Sequence, residues 1–131
     1  MEERDPKEQL NPRPHKRLKV WQLAIRLVIK IYKLTEKFPK NEEFGLKAQF
    51  RRAAVSVPSN IAEGLTRKTA KDKGHFLTMA QASLSEIDTL AEISVRLRYF
   101  SEEEFTDLER DLVEDQMLLS GLSRSIRELQ S

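Results

Sequence analysis

Three observations predict an all-α chain folded as an antiparallel, up-down-up-down four-helix bundle. Apolar residues recur at three- and four-residue intervals through four long segments, which lays one face of each helix on a common core. The links between these segments are short, so consecutive helices become antiparallel neighbours. The composition, 34% charged with only 4 glycines, 5 prolines and 7% aromatics, suits long helices and not the short strands and frequent turns of a sandwich or barrel. A chain of 131 residues is long enough for one domain whose core needs neither a metal nor a disulfide.

Residues 1–15, MEERDPKEQLNPRPH, are polar and proline-bearing with no apolar period, so they read as a disordered or loosely docked arm, with the bundle domain over 16–131. The first helix is expected from about Arg17 to Lys37. Phe38-Pro39-Lys40-Asn41 closes it, because proline disfavours helix in the residue before it. The second is expected from about Glu43 to Leu65, with Pro58 inside it. Leu46, Phe50, Ala53, Ala54, Val57, Ile61 and Leu65 keep one phase on both sides of that proline, which favours a single helix, kinked at Pro58, with the Ala54 carbonyl lacking its usual donor. The alternative is a break, with Asn60-Ile-Ala-Glu63 capping a fresh helix. The third helix starts near Thr69, repeats Leu77, Ala80, Leu84, Ile87 and Ala91, and ends around Tyr99. Ser101-Glu-Glu-Glu104 is a capping box: the serine oxygen takes an orphan amide while the glutamate reaches back. It opens a fourth helix whose seam, Phe105, Leu108, Leu112, Leu119, Leu122, Ile126 and Leu129, is interrupted only at Asp115.

Composition also narrows the function. Without cysteine there is no disulfide, thiolate nucleophile or cysteine zinc site, which suits a reducing interior. The first residues lack a basic region followed by an apolar core, and no window approaches the 18 or so apolar residues of a membrane span. A soluble, cytoplasmic protein with no membrane role is expected. Catalysis has little to stand on: two histidines, no glycine-rich phosphate loop and no nucleophile motif. A di-iron bundle needs Glu-x-x-His on two helices, whereas Asp72-Lys-Gly-His75 is a single, imperfect match, better read as a solvated turn. No enzyme activity, metal or cofactor is expected. Glu63 and Asp115 read as structural groups.

The net charge of +2 conceals a split: residues 1–80 hold 18 Lys/Arg against 9 Asp/Glu, and residues 81–131 hold 5 against 12. Such asymmetry points to an acidic partner or to an electrostatic fit between copies of the chain. On the first helix Lys19, Arg26, Lys30, Lys33 and Lys37 fall within an arc of roughly 80°. With Arg51, Arg52, Arg67 and Lys68 they form a candidate surface for the phosphates of RNA or DNA, set against the plainer reading that a lysine face is solvated surface. No recognition helix or aromatic-studded strand is evident, so binding would follow the backbone with little sequence preference.

Apolar residues occupy roughly 200° of the first helix, where a bundle needs a stripe of about 100°. That excess, with Ile25, Ile29 and Tyr32 in it, predicts self-association, the plainer account being cover by a loop or the arm. On the second helix Ala48, Val55 and Ala62 form a seven-residue ladder of small side chains that would let another backbone approach. Ser56, Ser59, Asn60 and Glu63 lie beside it, placed either to hydrogen-bond across a subunit boundary or to face water.

The stretches "LKVWQLA" at Leu18–Ala24, "IYKLTEKFPKNEEFGL" at Ile31–Leu46, "FRRAAVSVPSNIAEGLTRK" at Phe50–Lys68 and "MLLSGLSRSIREL" in the last helix closely resemble the bacterial four-helix-bundle family encoded within 23S ribosomal RNA intervening sequences. The resemblance covers roughly residues 16–130. It implies an antiparallel bundle assembled as a ring-shaped homopentamer, with no known enzymatic activity. A related branch, the accessory variability determinants of diversity-generating retroelements, is similar in fold, binds nucleic acid through a basic surface and works with a reverse transcriptase. Thr66 and Gly74-His75 depart from the glycine-rich and basic-aromatic run expected after the second helix, which leaves the function of that turn open. A nucleic-acid-binding oligomer, a reverse-transcriptase accessory and a protein-binding scaffold all remain compatible with these residues.

Overall fold

Four helices follow one another along residues 13–129, the span that the computed structural model describes: α1 (Lys19–Glu36), α2 (Leu46–Leu65), α3 (Ala70–Arg96) and α4 (Glu102–Glu128). Residues 1–12 of the predicted arm lie outside the described residues. Pro14–Arg17 form a 3-10 turn leading into α1, and the His15 ring meets Trp21 edge-on at 5.2 Å. Each helix packs on its neighbours in the chain and α1 closes the square against α4, with no diagonal contact among the described helices. The architecture is the predicted all-α bundle. No described helix is long and apolar enough to cross a membrane.

α2 begins later than its apolar pattern suggests. Lys40–Glu42 form a separate 3-10 turn, and Glu42 Oε1 accepts from the Leu46 N–H at 3.1 Å, satisfying an otherwise orphaned helix donor. The other Glu42 oxygen accepts from the Tyr99 hydroxyl at 2.9 Å, which ties the start of α2 to the turn after α3.

Pro58 is buried and α2 runs through it as one helix. The phase argument is therefore correct and the fresh-cap alternative is not. The Asn60 side-chain amide does not open a new helix; it donates back to the Ser56 carbonyl at 2.8 Å, while the Ser59 hydroxyl donates to the Val55 carbonyl at 2.9 Å. At the end of α2, Gly64 is buried because α3 leaves no room. A Cβ there would stand 3.1 Å from Phe76 Cβ and 3.2 Å from the Lys73 carbonyl oxygen.

Thr69 caps α3 by accepting from the Asp72 N–H. α3 stops where Arg98 turns left-handed (φ 63°) and the Tyr99 N–H reaches back to the Ser94 carbonyl at 2.9 Å. Both halves of the predicted capping box at Ser101 and Glu104 are present. The core is continuous from Ile61, Leu77 and Leu119 to an aromatic cluster in which Phe38 packs against Phe50, Tyr99 and Phe100. Leu129, the last residue of the predicted seam, lies just beyond α4 and is exposed.

Candidate functional site

The cationic edge of α1 lies along α4. Lys19 pairs with Glu114 at 3.2 Å, Arg26 with Asp111 at 3.9 Å, Lys30 with Asp107 at 2.7 Å and Asp111 at 2.6 Å, and Lys37 with Glu104 at 2.5 Å. The pairs descend α1 as they climb back along α4, as antiparallel helices require. Burial alone would lower the Lys30 pKa, but its hydrogen bonds to the two aspartates outweigh that and raise it. The same bond holds Asp107 below the ordinary carboxylate range. Glu104 is lowered by Lys37 and then by its bond to the Ser101 backbone. Along this edge the opposite charges of the two halves of the sequence meet inside one chain, and a phosphate reaching it would have to displace carboxylates already in place.

The remaining candidate cations divide. Arg51 clamps α1 to α2: Nε donates to Thr35 Oγ1 at 2.9 Å, Nη2 donates to the Tyr32 carbonyl and to Glu36 at 3.1 Å each, and the guanidinium lies 4.3 Å above the Tyr32 ring. Arg67 pairs with Glu63 and covers the Phe76 ring at 4.5 Å. Lys33, Arg52 and Lys68 are exposed and hold no ion pair among the described residues.

On the opposite edge of α1 and the outer face of α2, apolar surface stays open. Ile29 is 52% exposed, Val55 42% and Tyr32 40%, and Ile25, Ala48 and Ala62 are half-buried around them. The polar residues beside this strip are engaged within the chain. Ser56 turns toward α3, its Oγ 2.8 Å from the Ala53 carbonyl and 2.5 Å from Ser83 Oγ, while Ser59 and Asn60 bond to carbonyls of their own helix and Glu63 holds Arg67. What the strip offers a neighbour is mainly its apolar atoms.

Asp115 is a feature that the seam pattern only hinted at. Its carboxyl is fully buried between Leu112 and Leu119, neither oxygen has a hydrogen-bond partner, and burial pushes its pKa up to about 7, with Glu114 and Asp111 adding to the shift. Asp72 and His75 sit exposed on the first turns of α3, and no group of three His, Asp or Glu able to hold a metal occurs among the described residues.

Comparison with known proteins gives a family match and matches among solved structures. The family model of the 23S rRNA-intervening sequence protein matches residues 16–121. A crystal structure of a protein of unknown function from the S23 ribosomal protein family of Bacteroides thetaiotaomicron superposes with a TM-score of 0.74. That match covers 79% of this chain and 97% of the other at 22% identity, a likeness of fold. No curated protein matches the chain.

Proposed function

The chain belongs to the 23S rRNA-intervening sequence protein family, and from that premise we propose that it is a non-catalytic, self-associating bundle that binds nucleic acid through phosphate contacts with little sequence preference. The observation that carries the reading is the apolar strip of Ile29, Tyr32 and Val55, which stays exposed apart from the Arg51 guanidinium over one face of Tyr32. Contiguous apolar surface rimmed by polar residues marks an interface, and a strip shared by α1 and α2 suits association side by side. The homopentameric ring is the assembly that the family resemblance implies. Repetition around such a ring multiplies weak cation–phosphate contacts into useful avidity. The polar groups are occupied structurally: Glu63, Glu104, Asp107 and Asp111 hold cations, and Asp115 is sealed from any substrate.

Light scattering and titration of labelled RNA and DNA test the two halves separately. The expected mass is several times the 15.2 kDa of one chain, and the expected affinity falls as salt rises. A monomer would remove the assembly. No binding to either nucleic acid at low salt would remove the phosphate role and leave a scaffold for other proteins.

A further inference from the structure

We infer that the phosphate-contacting surface is one end of the bundle, where α1 begins, α2 passes into α3 and α4 finishes, and that its partner is a nucleic-acid duplex. The inference rests on the nucleic-acid reading above and moves its site away from the α1 edge.

The topology brings these termini together. Lys19 meets Glu114 at the middle of α4, so the Pro14–Arg17 turn before it lies further toward the end of α4 and packs against α2; Gln81 Nε2 donates to Ser120 Oγ at 3.1 Å between α3 and α4, and Lys73 Nζ donates to the Leu65 carbonyl at 3.3 Å across the α2–α3 turn. Lys16, Arg17, Lys68, Lys71, Arg124 and Arg127 therefore share one end, all exposed and without an ion pair among the described residues. The far end holds fewer such cations: Lys37, Lys47 and Arg96 there each hold a carboxylate, which leaves Lys40 and Arg98 exposed without an ion pair among the described residues.

Helix stability does not account for this placement. Cations at a helix C-terminus complement the helix dipole, which explains Arg124 and Arg127 on α4. The same dipole disfavours Lys16 and Arg17 before α1, whose first turn holds no acid, and, less strongly, Lys68 and Lys71 around the start of α3, whose first turn holds Asp72. At α1, whose N-cap Leu18 supplies no side-chain bond, positive charge favours an anion at the helix N-terminus, whereas Thr69 already caps α3.

The aromatic rings at this end favour a duplex over a single strand. Trp21 is packed on His15, and the Phe76 face is occupied by Arg67, so among these rings only His75, exposed and edge-on to Phe76, is open to an unpaired base. With helices packed about 8–10 Å apart, the end is broad enough to touch phosphates on both strands beside a groove.

The test is fluorescence anisotropy of the full chain with a 20-base-pair probe (about two helical turns) of arbitrary sequence, as RNA and as DNA, and with the same strands unpaired, over a series of salt concentrations. Lys68→Gln with Lys71→Gln, and separately Arg124→Gln with Arg127→Gln, are expected to weaken duplex binding about tenfold and to flatten the log–log salt slope by about 2. Lys40→Gln with Arg98→Gln removes the same charge at the far end and is expected to leave the slope unchanged. If the wild type binds and the Lys33→Gln with Arg52→Gln protein alone loses the slope, the contact lies on the side of the bundle and the end is excluded. Tighter binding of unpaired strands overturns the duplex. Failure of the wild type to bind any probe at low salt removes the nucleic-acid reading itself.

Discussion

Along the edge of α1 that meets α4, every cation from Lys19 to Lys37 except Lys33 faces a carboxylate, whereas the edge beside α2 leaves Ile29 and Tyr32 open to solvent. Both edges belong to one helix, and both looked like surplus in the sequence. The difference follows from side-chain reach. A lysine extends over its neighbours and finds an aspartate several ångströms off axis, so four antiparallel helices can satisfy a charged edge internally. Apolar excess is removed only by more covering surface, and a square bundle has none left to supply. Charge along this edge is therefore satisfied within the chain, while apolar surface at Ile29 and Tyr32 stays exposed.

The comparison breaks most sharply at the open strip. Val55→Glu places a carboxylate in the centre of the proposed interface, where burial without a partner is prohibitive, and is expected to abolish assembly at micromolar concentration. Since Val55 faces outward, the circular dichroism spectrum should stay that of the wild type. An assembled Val55→Glu protein would show that the strip is not the contact.

Next in size is the carboxyl just behind the paired edge. The Asp115 pKa is raised from 3.8 to about 7, so the folded protein binds more protons than the unfolded chain across that interval and stability falls as pH rises from 4 to 7. Asp115→Asn removes the titration at nearly constant volume. It is expected to raise stability at pH 8 by up to about 4 kcal/mol and to flatten that slope in urea unfolding. Glu104 and Asp107 act in the opposite sense. Their lowered pKa values stabilise the fold at neutral pH, and that contribution disappears below about pH 4 as they protonate. The wild type should accordingly be most stable in mild acid, and Asp115→Asn should shift the maximum toward neutrality.

Two substitutions sharpen the paired edge itself. Lys30 is bonded to two aspartates with only 23% of its side chain exposed, and Lys30→Gln is expected to cost about 1–2 kcal/mol by leaving Asp111 poorly compensated. Lys19, 70% exposed, is expected to contribute less than about 0.5 kcal/mol, and Lys19→Gln should match the wild type in thermal unfolding within error.

The elements that sequence disclosed are those set by local chemistry. Ser101 and Glu104 fix the start of α4 through bonds spanning three residues, and the apolar phase across Pro58 announces one helix because only an unbroken turn preserves it. The start of α2 was missed because Glu42 caps Leu46 from outside the usual cap position. The partners of the α1 cations were illegible for a different reason: a charge split of this kind reads the same whether it closes within a chain or between copies. Only the 81-residue separation of Lys30 and Asp111, bridged by the fold, decides it. The basic end was illegible too, since its cations come from the start, middle and end of the chain.

The close approach at Gly64 has a bearing on how the molecule comes into being. α2 and α3 are joined through residues 66–69 and meet backbone to side chain at that glycine, so this hairpin needs little loop closure and is set to form early. α1 has its Arg51 contacts with α2 available early, whereas its pairing with α4 must wait for nearly the whole polypeptide to be synthesised. Until α4 is made, Lys19, Arg26, Lys30 and Lys37 have none of the carboxylates they pair with in the folded chain.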